Sequence, residues 1–176
     1  MHDDPALQPP MADQTFRTAV LTVSDRGAKG ERLDLSGPAI RELLEEIAPV
    51  TAMAILPDDQ EAVSSQLREW ADSGRVDLIL TTGGTGLSPR DVTPEATLAV
   101  VERLVPGIPE AIRARSLQLT DRAMLSRAVA GIRGRTLIIN LPGSPRAVRE
   151  CLDVVLPVLG HALAILTGRD RECARP

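Results

Sequence analysis

Three glycines within four residues, Gly83-Gly84-Thr85-Gly86, followed shortly by Asp91, form the stretch of this chain best suited to chemistry. Glycines let a backbone approach a bulky anion closely and leave their amides free to donate to it. The preceding Val76-Asp77-Leu78-Ile79-Leu80 is an aliphatic run that reads as a buried strand. Beyond the turn, Thr93 and Pro94 fit the N-cap and first position of a helix. Strand, glycine turn and helix N-terminus in that order suit a phosphate or another oxyanion. Asp91 adds a hard oxygen ligand able to hold a magnesium ion against that phosphate. A tight turn without a ligand, with Asp91 as an ordinary turn residue, is the alternative these residues leave open. The glycines are spaced G-G-x-G and no Gly-Lys-Ser/Thr follows, so neither the dinucleotide fingerprint nor the triphosphate P-loop is present.

The elements that position this turn follow from hydrophobic pattern. Residues 18–23, 50–56, 76–80 and 136–141 read as strands. Between them, Ser36-Gly37-Pro38 opens a helix with Ile40, Leu43, Leu44 and Ile47 on one face. Asp58-Asp59-Gln60-Glu61 resembles a capping box with Asp58 at the N-cap, ahead of a helix burying Val63, Leu67 and Trp70. Residues 93–104 and 108–119 are expected to be helical, and 124–133 fits either a short helix or an irregular strand. Ser144 as N-cap and Pro145 at the first position start a long last helix, kinked at Pro157 and ending at Gly168. Strands alternating with helices predict a single three-layer α/β/α domain with a mostly parallel central sheet. The domain is expected over 15–168, with a disordered tail at 1–14 and a charged tail at 169–176.

In such sheets ligands sit outside the carboxyl ends of the strands. Those ends carry Ser24-Asp25, Asp58-Asp59, the glycine turn with Asp91, and Asn140 with Gly143-Ser144. Asp58 suits either a helix cap or a site acid, and both roles are compatible at one rim. Ser144 is likewise a cap first, Asn140 could satisfy a strand-end carbonyl, and Arg90 could be a solvated loop cation.

Composition excludes several classes. The chain has 176 residues, 43% hydrophobic and 25% charged, enough for one domain with a substantial core. Phe16 and Trp70 are its only aromatic residues, so stacking platforms for single-stranded nucleic acid are missing. A net charge of −4 without a basic run gives no footprint for polynucleotides. No run of about 18 apolar residues marks a membrane span, and the first residues lack a signal-peptide core. Cys151 and Cys173 fit a reducing compartment without a disulfide, and His2 and His161 are too isolated for a zinc site. The cytoplasm is the expected location.

These residues converge on a family. Thr81-Thr-Gly-Gly-Thr-Gly-Leu-Ser-Pro-Arg-Asp-Val-Thr-Pro-Glu-Ala-Thr97 closely resembles the signature of the Mog/MoaB molybdenum-cofactor biosynthesis proteins. The likeness extends to Ser24-Asp25-Arg26, Leu56-Pro57-Asp58, Pro106-Gly107, Ala123-Met124-Leu125-Ser126-Arg127 and Ile139-Asn140-Leu141-Pro142-Gly143-Ser144-Pro145, roughly residues 18–168. It implies a molybdopterin adenylyltransferase that moves AMP from ATP to the molybdopterin phosphate and releases pyrophosphate. Asp58 and Asp91 match required catalytic acids, the second supporting Mg2+. The Gly83, Gly84, Thr85 and Gly86 turn matches the phosphate-binding segment, and Ser116, Ser126, Asn140, Gly143 and Ser144 match pocket positions. The resemblance also implies a homotrimer and hand-over of product to a molybdenum-insertion protein. A MoaB-type carrier that binds molybdopterin or nucleotide without transferring AMP is the alternative.

Overall fold

Six strands and six α-helices alternate along residues 15–169, the part of the chain described by the structure, a computed structural model. The strands are β1 (Thr18–Val23), β2 (Val50–Leu56), β3 (Leu78–Thr82), β4 (Arg103–Leu104), β5 (Ala130–Arg133) and β6 (Thr136–Leu141). The helices are α1 (Asp25–Ala28), α2 (Ser36–Leu44), α3 (Gln60–Asp72), α4 (Thr93–Leu98), α5 (Gly107–Leu117) and α6 (Pro145–Leu166), with a 3-10 turn at Asp121–Leu125. The expected tail at 1–14, and Cys173 with most of the charged tail, lie outside the described residues.

One sheet runs in the order β2-β1-β3-β6-β5-β4. Strands β2, β1, β3 and β6 are parallel, whereas β5 runs antiparallel to both β6 and β4. The three inner parallel strands β1, β3 and β6 are buried at every position. Burial on both faces is why they read as continuous apolar runs rather than alternating ones. On one face Val20, Leu80 and Ile139 meet Ile40 and Leu44 of α2, Ile112 of α5 and Leu152 and Leu159 of α6. On the other, Leu21, Ile79 and Ile138 meet Val63 and Leu67 of α3 and Ala96 of α4. The result is the three-layer domain expected.

Several boundaries differ from the pattern-based expectation, each for a local reason. Strand β3 begins at Leu78 and runs through Thr81 and Thr82, because both hydroxyls are satisfied inside the sheet. Thr82 Oγ1 donates to the Pro142 carbonyl at 2.7 Å, and Thr81 Oγ1 accepts from Asn140 Nδ2 at 2.9 Å. Helix α4 stops at Leu98 rather than 104, since Arg103 and Leu104 leave to pair with β5 as a short edge strand. The ambiguous 124–133 segment divides between the 3-10 turn and β5. Pro157 sits inside α6 without ending it.

Asn140 ties the layers together. Its Nδ2 donates to Thr81 Oγ1 and Thr97 Oγ1, both at 2.9 Å, and its Oδ1 accepts from the Val129 amide at 3.2 Å. Asn140→Ala removes all three bonds, leaving the buried Thr81 hydroxyl without this donor, and should cost about 2–3 kcal/mol. A urea unfolding curve checks this, with a lowered midpoint expected.

Candidate active site

The direction in which the chain winds across the sheet reverses at β1. From β1 the chain passes through α1 and α2 to β2 on one side, and from β2 through α3 to β3 on the other. The loops leaving β1 and β3 therefore part, and such a reversal opens a crevice at the strands' carboxyl ends. A cavity of about 500 Å³ lies there. Its walls come from the β1 end (Thr22, Val23, Ser24), the segment before α2 (Asp34, Leu35, Ser36), Asp58, the turn Thr82–Gly86 with Asp91, and Gly143 with Ser144.

The glycine turn is shaped by backbone crowding. Gly83 has φ +95°, and a Cβ there would lie 2.4 Å from the Val23 carbonyl oxygen. Gly84 has φ +64°, with Thr93 Oγ1 2.4 Å from where its Cβ would stand. Thr93 is the first residue of α4 rather than its N-cap. Its hydroxyl donates to the Gly83 carbonyl at 2.9 Å, and its amide to the Gly84 carbonyl at 3.1 Å. The Gly83 amide donates to the Leu141 carbonyl, but those of Gly84, Thr85 and Gly86 have no partner among the described residues. Three successive donors without a partner among the described residues, all on residues lining the cavity, are of the kind suited to an anion.

The acids are arranged in pairs. The helix cap of α3 is Asp59, whose side chain accepts from the Ala62 amide at 2.8 Å, so Asp58 is released from the capping role expected of it. Asp58 Oδ2 instead accepts from the Asp25 amide at 2.8 Å, and Asp25 Oδ1 accepts from the Asp58 amide at 3.0 Å. Arg90 closes on Asp25 from the other loop, with Nη2 2.9 Å from each carboxylate oxygen. This guanidinium holds the Asp25 carboxyl below its ordinary pKa. Burial pushes the Asp58 carboxyl above its ordinary 3.8, and the negative charges of Asp25 and Asp91 add to the rise. Asp91 Oδ2 accepts from the Ser88 amide at 2.9 Å, which aims the side chain back toward Gly86.

The cavity wall therefore gathers Ser24, Asp58, Gly83, Gly84, Thr85, Gly86, Asp91, Gly143 and Ser144. Ser24 and Ser144 also cap α1 and α6, accepting from the Gly27 and Ala147 amides. Asp25 stands behind Asp58 rather than in the wall. Three matched positions are elsewhere in this chain. Asn140 is the buried tie described above. Ser116 on α5 lies beside Cys151, whose thiol pKa burial pushes up to about 11. Ser126 follows the 3-10 turn, and its hydroxyl accepts from the Ala128 amide at 3.4 Å.

Two contributors were not anticipated from sequence. Asp34 accepts from the Ser36 and Gly37 amides and from the Thr22 hydroxyl, pinning one cavity wall to β1. An acid just ahead of a helix start is a readable capping signal. Arg127 reaches the glycine loop from the far side of the sheet edge, and nothing local in its sequence indicates that.

Comparison with known proteins places this geometry in context. Residues 19–161 match the family model described as "Probable molybdopterin binding domain". The chain belongs to this family. It is 43% identical over 158 residues to the molybdopterin adenylyltransferase of Helicobacter pylori J99, covering 88% of this chain and 90% of that protein. The molybdopterin adenylyltransferase of Escherichia coli K12 is 40% identical over 152 residues, 85% of this chain and 78% of that one. Among solved structures, the molybdopterin biosynthesis enzyme MoaB of Thermus thermophilus superposes with a TM-score of 0.83 at 54% identity, covering 88% of this chain and 98% of that one. Among the described residues, no helix is long and apolar enough to cross a membrane.

The crowding at Gly83 makes a direct test. Gly83→Ala should destabilise the fold by about 1–3 kcal/mol from backbone conformation alone. Gly107→Ala, where a Cβ meets nothing within 4 Å, should leave stability unchanged or raised. Paired denaturant unfolding of the two variants checks the contrast.

Proposed function

We propose that this chain is a molybdopterin adenylyltransferase, moving AMP from ATP to the molybdopterin phosphate and releasing pyrophosphate. The observation that carries this reading is the row of unpaired amides at Gly84, Thr85 and Gly86, beside one cavity with the Asp58 and Asp91 carboxylates. Support comes also from relatives of that name matched over most of their length.

The reaction joins two anions. An oxygen of the pterin phosphate attacks the α-phosphorus, a P–O bond forms, and the bond to the departing pyrophosphate breaks. Little covalent work falls to the protein, so alignment and charge stabilisation dominate. The free amides of the glycine turn bind nucleotide phosphate oxygens, and Gly143 and Ser144 close the wall beside Gly83. Asp58, fixed by its reciprocal bonds with Asp25, is held in one orientation at the crevice. Asp91, tethered through Ser88, presents a second carboxylate to the same space.

The donor set fits magnesium. It offers hard carboxylate oxygens, and no group of three or more metal-ligating side chains stands among the described residues. Magnesium is characteristically held by one or two carboxylates together with substrate phosphates. Asp91, with Asp58 beside it, would hold the ion, which neutralises phosphate charge when bound. We place the protein in the cytoplasm as a homotrimer that passes its product to a molybdenum-insertion protein. Support for that assignment is the Mog/MoaB likeness.

Asp91→Asn should lower the rate of pyrophosphate release roughly 100- to 1000-fold, the usual cost of one preorganised electrostatic element. The fold should be retained, and full activity in the variant would remove Asp91 from the mechanism. The working form of Asp58 is the carboxylate, and its pKa is raised. Hence kcat/KM should fall as pH drops through a value above the 3.8 of an ordinary aspartate. Arg90→Gln removes a positive charge that favours ionised Asp58, so the acid limb should move to still higher pH. A pH–rate profile of both proteins checks the direction.

A further inference from the structure

We propose that Arg127 is a positioning residue that holds Asp91 and the glycine loop in working geometry; the inference rests on the adenylyltransferase reading above. Arg127 lies between the 3-10 turn and β5, outside the cavity wall. Its backbone amide donates to the Thr85 carbonyl at 3.0 Å. Its Nε donates to the Gly86 carbonyl at 2.7 Å, and its Nη2 to the Asp91 carbonyl at 2.6 Å. Nη1 pairs with the Glu95 carboxylate in the first turn of α4. One residue thus grips both ends of the 86–91 excursion and the helix that follows it.

The rest of that loop is held weakly. Its internal ties are the Asp91 amide to the Ser88 carbonyl, the Ser88 amide to Asp91 Oδ2, and the Arg90 amide to Ser88 Oγ. All three close within the loop and none fixes it to the sheet. The Arg90 side chain reaches across to Asp25 with both Nε and Nη2, a side-chain clamp that holds Arg90 but makes no bond to the Gly86 or Asp91 backbone. Thr93 closes the base of the excursion, tying the start of α4 to the Gly83 and Gly84 carbonyls. The carbonyls of Gly86 and Asp91 are held directly by Arg127, just ahead of β5. A guanidinium is a planar fork with five donors, which can meet two carbonyls and a carboxylate at once. An ammonium is a point charge without that fork and cannot reproduce all three contacts. Glu95 neutralises the guanidinium and sets its plane, so Arg127 is committed to the loop and not offered to a substrate.

The test uses Arg127→Lys, Arg127→Met and Glu95→Gln in the full chain, each checked for cooperative unfolding. In the free protein, hydrogen exchange of the Ser88, Arg90 and Asp91 amides, which are bonded within the loop, should accelerate in both Arg127 variants, while α6 stays protected. With molybdopterin and Mg-ATP, kcat should fall about 100-fold, the scale set by a misplacement near 1 Å, with KM for molybdopterin little changed. Glu95→Gln, which leaves the two carbonyl bonds in place, should give a smaller loss in the same direction. Wild-type exchange in folded Arg127 variants overturns the proposal whatever the rate. So does accelerated exchange with undiminished kcat. If the wild type itself forms no adduct, the adenylyltransferase reading fails, and exchange alone then decides whether Arg127 holds the loop.

Discussion

The close approach of Gly83 to the end of β1 governs the rest of the site. Val23 presents its carbonyl oxygen 2.4 Å from where any side chain at Gly83 would begin, and Gly83 Cα lies 3.3 Å from where one at Gly143 would begin. Three parallel strand ends therefore stack backbone against backbone, with no side chain between them. The sheet reverses its winding at this place, so the loops beyond must separate. The turn takes positive φ at Gly83 and Gly84, and the amides of Gly84, Thr85 and Gly86 have no partner among the described residues. Backbone crowding at Gly83 and the unpaired amides that follow it among the described residues belong to the same turn.

Electrostatics then divides the charged residues by task. Carboxylates around an anion site are unfavourable unless something offsets them. Asp25 is offset by Arg90 and serves as a strut, exchanging amide bonds with Asp58. Glu95 is offset by Arg127. Asp58 and Asp91 have no such cation bonded to them among the described residues, and both stand in the cavity wall. Their uncompensated charge suits a divalent ion arriving with phosphate; the raised Asp58 pKa comes first from burial and then from the neighbouring carboxylates.

Much of this was legible in the sequence, because the fold writes itself through apolar runs and turn chemistry. The four parallel strands, the α2 start at Ser36-Gly37-Pro38 and the α6 start at Ser144-Pro145 all follow local rules. What escaped depends on contacts distant in sequence or on equivalent neighbours. Asp58 and Asp59 are both plausible caps by residue type, and only the pairing of Asp58 with Asp25 decides between them. Thr93 looks like an N-cap, but the glycine turn takes its hydroxyl and shifts it into the helix. The two-residue strand β4 has no periodicity to detect. Arg127 lies 36 residues from the carbonyl of Asp91, so its role emerges only once the sheet edge is assembled.

Group transfer at this crevice, rather than binding alone, is what distinguishes an enzyme from a carrier here. The most direct measurement is a mass spectrum of the pterin after incubation of the purified protein with molybdopterin and Mg-ATP, with pyrophosphate quantified in the same sample. A transferase yields a pterin heavier by one AMP and pyrophosphate in equal amount. Tight binding of molybdopterin with unmodified pterin and intact ATP would contradict transfer, leaving a carrier in place of an enzyme.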